Sequence, residues 1–194
     1  MPIVKESVSD VSNRDISKVR IVSALSELLE EKVFRAITVR DICDKAGVSR
    51  QTFYRHFENK YDVAQWYWQQ TASKHLLRVG RDLTWRDSLQ KSFELGAEYL
   101  DFFVEASLDG AYESCEEFGR RCRAESLKST VVDYLGLPLT EELEFQIDFF
   151  AQGEARMVRN AVRSSKPFDA ERFARLLELC VPQQLHDLLD IISR

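Results

Sequence analysis

Arg50, Gln51, Thr52, Tyr54, Arg55 and His56 crowd into one short run of the chain, and each can hydrogen-bond. Phe53 and Phe57 stand among them four residues apart, the spacing that puts two side chains on one face of a helix. A helix here therefore has an apolar back and a polar front. Arginine pairs bidentately with guanine O6 and N7, glutamine with adenine N6 and N7, and threonine can touch a thymine methyl. Tyrosine, histidine and lysine donate to phosphate oxygens. The chemistry is that of reading double-stranded DNA. Arg55 also reads as a solvated charge, and His56 as a cap for its own helix.

The surrounding residues position such a helix. Thr38 with Asp41 three later forms a capping-box pattern, so a helix starts after Thr38. Val39, Ile42 and Ala46 share its inner face, and Gly47 stops it where a left-handed residue is wanted. Val48 plugs the turn, and Ser49 caps the next helix. Asn59, with Asp62 three later, caps another, on which Lys60 follows at once. Upstream, Ile16, Val19, Val22, Leu25 and Leu29 recur at three and four, predicting a first helix over Asn13–Glu31 on which the hairpin packs. Helix, turn and helix, with one polar face outward, is a DNA-docking arrangement.

Over 16–68 the chain resembles the TetR family of bacterial transcription regulators. The matching residues are Thr38, Val39, Arg40, Ile42, Ala46, Gly47, Val48, Ser49, Thr52, Tyr54, His56, Phe57 and Lys60, in the family's spacing. The longer run RQTFYRHFENKYD, followed by Trp66, is similar to a branch that includes regulators of dihydroxyacetone kinase operons. One departure is Val33 before Phe34, where many members carry glycine at the end of the first helix. The resemblance implies that Arg40, Arg50, Gln51 and Thr52 face the major groove, with Tyr54, His56 and Lys60 on phosphates and Thr38 and Ser49 at the helix starts. Thr38 can offer its hydroxyl or its backbone amide.

The rest of the chain is expected to be helical. At 194 residues, with seven Gly and four Pro, it suits two modest all-α domains: a tail over 1–12, a helix-turn-helix domain over 13–58 and a larger helical domain over 59–194. A fourth helix is predicted from Asn59 to about Val79, the natural lever between the domains. A fifth runs from Trp85 to about Ala106 behind a Thr84 cap. A sixth spans about Tyr112 to Leu135, broken near Gly119. A seventh runs from Glu141 to about Arg163 behind Thr140, and Asp169 caps a last segment that Pro182 ends or kinks.

The net charge of −5 hides an asymmetry. Residues 1–60 hold 11 Lys and Arg against 9 Asp and Glu, whereas residues 61–194 hold 16 against 23. The positive charge gathers on Arg40, Lys45, Arg50, Arg55 and Lys60. DNA responds to this local field, because charge is screened over about 8–10 Å. No apolar run is long enough to span a bilayer and no signal peptide is evident, so a cytoplasmic protein is expected. Cys43, Cys115, Cys122 and Cys180 lack Cys-x-x-Cys spacing and read as small core residues.

Two further expectations concern the second domain. In the family it holds a ligand cavity, and its aromatics suggest a lining for a small organic effector: Trp66, Trp85, Phe93, Phe103, Tyr112, Phe118 and Phe149. Glu94, Glu98, Glu154 and Arg156 are charges whose default is outward. The apolar bands Leu143, Ile147, Phe150 and Met157, then Phe173, Leu176, Leu177, Leu185 and Leu188, are candidates for a homodimer interface built as a four-helix bundle. The resemblance implies a repressor released by its effector. A helical adaptor or an activator without a small-molecule ligand is the alternative. Neither a metal cluster nor a cofactor or catalytic motif is visible, and an enzyme is not expected.

Overall fold

A computed structural model describes residues 16–96, 115–162, 164 and 169–190. Its named elements are all helical, with one isolated β-bridge, Val79 to Leu83. Residues 16–67 belong to one compact unit, and residues 68–96 and 116–190 to a second. Among the described residues no helix is long and apolar enough to cross a membrane.

The first unit holds α1 (Ile16–Glu31), a 3₁₀ turn (Phe34–Ala36), α2 (Val39–Ala46), α3 (Arg50–His56) and the start of α4 (Lys60–Ala72). Its core is Ile21, Val22, Leu25 and Leu28 of α1 against Phe34, Ile37, Ile42, Phe53, Phe57 and Val63. The buried stripe of α1 is thus centred on Ile21 and Leu28 as well as the expected Val22 and Leu25, while Ile16 is exposed. Val33 sits at φ −60°, ψ 146°, an extended conformation open to any residue, so the turn after α1 needs no glycine.

In the second unit α4 stops at Ala72, short of the expected Val79. The Ser73 hydroxyl donates to the Gln70 carbonyl, and the chain turns through Ser73–His75 into a 3₁₀ turn, Leu76–Arg78. α5 (Trp85–Gly96) follows its Thr84 cap, and α6 (Cys115–Ser129) passes unbroken through Gly119. The glycine there serves packing: a Cβ would come within 3.3 Å of the Trp68 indole. The irregularity lies later, in a π-helical turn over Thr130–Tyr134. α7 (Glu141–Val162), α8 (Ala170–Glu178) and α9 (Gln183–Leu189) complete the described helices. Asp169 accepts from the Arg172 amide, and Pro182 marks the start of α9, as expected.

The core of the second unit takes Trp85, Leu89 and Phe93 from α5, Leu127 from α6, Leu143, Ile147 and Phe150 from α7, Leu177 from α8, and Leu185 and Leu189 from α9. This corrects the expected interface: Leu143, Ile147, Phe150, Leu177 and Leu185 are buried within the subunit, and Phe173 and Leu188 pack partly against the same core. α7 carries two apolar stripes, and the richer one goes inward. The outer one is Phe145 and Phe149, 70% and 67% exposed, with their rings stacked 6.3 Å apart. Met157 and Leu176 stay exposed, as does Leu179.

Candidate nucleic-acid interface

The turn between α2 and α3 is fixed by local chemistry. The Thr38 hydroxyl oxygen accepts from the Asp41 amide, while the Asp41 carboxylate accepts from the Thr38 amide at 2.8 Å, closing the capping box. Together with the Thr38 hydroxyl and Lys32, these bonds hold the Asp41 carboxyl down at about 2. Gly47 ends α2 at φ 61°, ψ 41°, the left-handed conformation that glycine adopts without strain. Ser49 then caps α3, its hydroxyl oxygen accepting from the Thr52 amide at 3.0 Å.

α3 is anchored from behind. Phe53 is fully buried, Phe57 nearly so, and their ring centroids lie 5.9 Å apart. Phe57 meets Trp66 edge-on at 6.1 Å. The opposite face carries Arg50, Gln51, Tyr54 and Arg55, all exposed, with Tyr54 at 54%. Among the described residues no hydrogen bond or ion pair engages Arg50 or Gln51. Arg40 on α2 is open too, with only a loose 3.6 Å pairing to Asp44. Thr52 and His56 are half-buried at the edge of this face. The Thr52 hydroxyl lies 3.0 Å from that of Ser49, and the His56 ring lies 3.4 Å from the Arg55 guanidinium.

Three expected contributors are committed elsewhere. The Lys60 ammonium donates to the carbonyls of Phe34 at 2.8 Å, Ile37 at 2.9 Å and Arg35 at 3.3 Å, and lies 4.7 Å from the Phe34 ring centroid. These bonds close the turn after α1. Thr38 gives both its amide and its hydroxyl to Asp41. Lys45 donates to Glu31 at 2.9 Å and lies 3.4 Å from Glu27, and these carboxylates raise its pKa. The positive field on the outer face therefore rests on Arg40, Arg50 and Arg55.

The aromatics expected to line a cavity are dispersed. Trp66 belongs to the first unit's core. Trp85 is fully buried against Phe150 at 5.2 Å, and Phe93 packs on Phe173 at 5.0 Å. Phe118 meets Trp68 at 5.8 Å, and Phe149 faces outward. Phe103 and Tyr112 lie outside the described residues, as does Glu98. Glu94 and Arg156 are exposed as expected, but Glu154 is buried with Arg123, a residue the sequence reading passed over. An arginine in the run Arg120-Arg121-Cys122-Arg123 looks solvated, and only its partner thirty-one residues away reveals otherwise. Cys43 is buried, and burial pushes its thiol pKa up, whereas Cys180 is exposed instead of core. Among the described residues no group of three His, Cys, Asp or Glu could hold a metal.

Comparison with known proteins agrees with this geometry. Residues 21–65 match the family model described as bacterial regulatory proteins, tetR family. The HTH-type transcriptional regulator YvkB of Bacillus subtilis is 41% identical over 46 residues, 24% of each chain. The dhaKLM operon transcriptional activator DhaS of Lactococcus lactis is 35% identical over 46 residues, 24% of this chain and 25% of its own. These matches span about a quarter of each relative's length. The solved structure of the dihydroxyacetone kinase operon activator DhaS shares the fold over 90% of this chain and 98% of its own, with a TM-score of 0.64 at 17% identity. Residues 21–65 thus match the model of the tetR family of bacterial regulatory proteins, and the fold of the chain is that of the solved DhaS structure.

Proposed function

We propose that this chain is a sequence-specific DNA-binding transcription regulator. The observation that carries the reading is the exposure of Arg50, Gln51 and Tyr54 together on α3, over a back locked by Phe53 and Phe57. α3 enters the major groove; Arg50 and Gln51, with Arg40 of α2, meet base edges, and Tyr54 and Arg55 meet the backbone. Thr52 presents its methyl at the same edge, and His56 serves phosphate or the helix end. Ser49 acts as the cap that orients them.

A helix as short as α3 reads few base pairs, so two copies acting on paired half-sites are expected. The outward Phe145 and Phe149 of α7, with Leu176 and Leu179 of α8, supply the apolar surface for a homodimer. The second unit answers a small molecule, and α4, whose residues fall partly in each unit, carries the response by a pendulum-like shift. A coupling of ~1–3 kcal/mol suffices for an effect of about tenfold. Repression relieved by the effector is the primary reading. Activation is the second, favoured by the likeness to DhaS, named as an activator.

A mobility-shift assay with DNA flanking the gene tests the whole. Binding by the wild-type chain and its loss in an Arg50→Ala, Gln51→Ala variant support the reading; binding unchanged in that variant contradicts it. A reporter placed behind the bound DNA gives the sign of control.

A further inference from the structure

The second unit buries an ion pair between α6 and α7. Arg123 is 2% exposed and Glu154 5%, and the guanidinium Nε donates to Glu154 Oε2 at 2.9 Å. The same guanidinium lies 5.3 Å from the ring centroid of the fully buried Trp85. Its Nη1 donates to the carbonyl of Leu76, in the turn beyond the end of α4. Arg123 Nη2, Glu154 Oε1 and the Trp85 indole N–H then have no hydrogen-bond partner among the described residues, though each is buried.

Folded proteins pair nearly all their buried polar groups. A buried ion pair is also weak evidence of stabilisation, since apolar residues of like volume often do as well. Three unmatched polar atoms on one such cluster therefore point to a binding role. Their chemistry is restrictive. Two offer N–H donors, one offers a carboxylate acceptor, and the ion pair leaves no net charge. A guest must supply an acceptor oxygen to the donors and an O–H or N–H to the carboxylate. A charged guest would leave an unbalanced charge in the interior.

We propose that Arg123, Glu154 and Trp85 recognise the effector, and that the effector is a small uncharged molecule bearing both a carbonyl or hydroxyl oxygen and an O–H or N–H donor. This rests on the reading that the second unit answers a small molecule. The cluster also offers a route for the signal. Three successive carbonyls after α4 are held by side chains: His75 by Ser88 at 2.9 Å, Leu76 by Arg123, and Leu77 by Ser126 at 3.0 Å. A guest that draws the guanidinium away from Leu76 loosens that clasp directly. One arginine thus reads the guest and holds the segment that follows α4.

The test uses the full chain with hydroxyacetone and acetamide as uncharged probes, and acetate and methylammonium as charged ones. Binding is followed by ligand-observed NMR at millimolar concentration. Hydroxyacetone and acetamide are expected to compete for one site. Trp85→Phe keeps the ring but loses the N–H, and should weaken both by ~3–10-fold, the scale of one hydrogen bond. Glu154→Gln should weaken both further. If Glu154→Gln fails to fold, Trp85→Phe still decides. The proposal is overturned if neither uncharged probe binds, if the charged probes bind as well, if Trp85→Phe binds like wild type, or if a crystal structure with probe shows ordered water alone on the three atoms. Mobility shifts run on the same wild-type sample separate the two readings: DNA binding without probe binding sinks this proposal alone, whereas loss of DNA binding sinks the regulator reading itself.

Discussion

The Lys60 ammonium reaches back 26 residues to the carbonyl of Phe34, 2.8 Å away, and so ties the first turn of α4 to the end of the α1 turn. With Ile37 and Arg35 also bound, the group acts as a clasp. Lys60→Met should therefore lower the stability of the chain by ~1–3 kcal/mol, the scale for hydrogen bonds to a charged group. Urea unfolding measures that. The salt dependence of DNA binding by the folded variant should stay as in wild type; a slope reduced by about one, with unchanged stability, would instead make Lys60 a phosphate contact.

Asp41 makes the DNA-binding unit sensitive to acid in a defined window. Its carboxyl is lowered from 3.8 to about 2, first by the Thr38 amide and then by the Thr38 hydroxyl and Lys32. A depressed folded-state pKa means that the ionised form favours the fold. The contribution is fully present above about pH 4 and is lost as pH falls toward 2. Acid titration followed by circular dichroism should show a transition in that range that Asp41→Asn shrinks. An Asn variant with the wild-type profile would show that the capping box is not the acid-sensitive element.

Gly47 combines a left-handed backbone with a close neighbour, since a Cβ would sit 2.9 Å from Arg20 Nη2. The guanidinium is the far end of a long side chain and can swing away. The backbone strain cannot, so Gly47→Ala should cost ~1–2 kcal/mol. Gly47→Asn should cost less, because asparagine tolerates this conformation. Equal losses by thermal unfolding would place the penalty in the side-chain contact.

Phe145 and Phe149 separate assembly from folding. Both are largely exposed, so replacing them with serine should leave helicity and unfolding temperature nearly intact while light scattering reports a monomer. Ile147→Ser, two positions from each and fully buried, should destabilise the fold instead. A double serine variant that remains dimeric would move the interface elsewhere.

What the chain's letters disclosed, and what they withheld, follows from the range of the interactions. The caps at Thr38, Ser49 and Asp169 and the stop at Gly47 are set by residues within a few positions, and all were legible. The polar front and phenylalanine back of α3 were legible for the same reason. Lys60 was not, because its acceptors lie 23 to 26 residues upstream. Nor was the early end of α4, whose following carbonyls are held by Ser88, Arg123 and Ser126 from α5 and α6. Periodicity revealed the apolar band of Leu143, Ile147 and Phe150 on α7 but not that it is buried within the subunit. Arg123 reads as a surface charge until Glu154 and Trp85 are seen beside it.

The central claim is that the outer face of α3 reads bases. Its most direct measurement compares Arg50→Ala with wild type on DNA selected by the wild-type chain and on random DNA, at one salt concentration. A loss of ~1–3 kcal/mol on the selected sequence, confined to one base position and nearly absent on random DNA, is the predicted result. Equal losses on both, or no selected sequence at all, would contradict it.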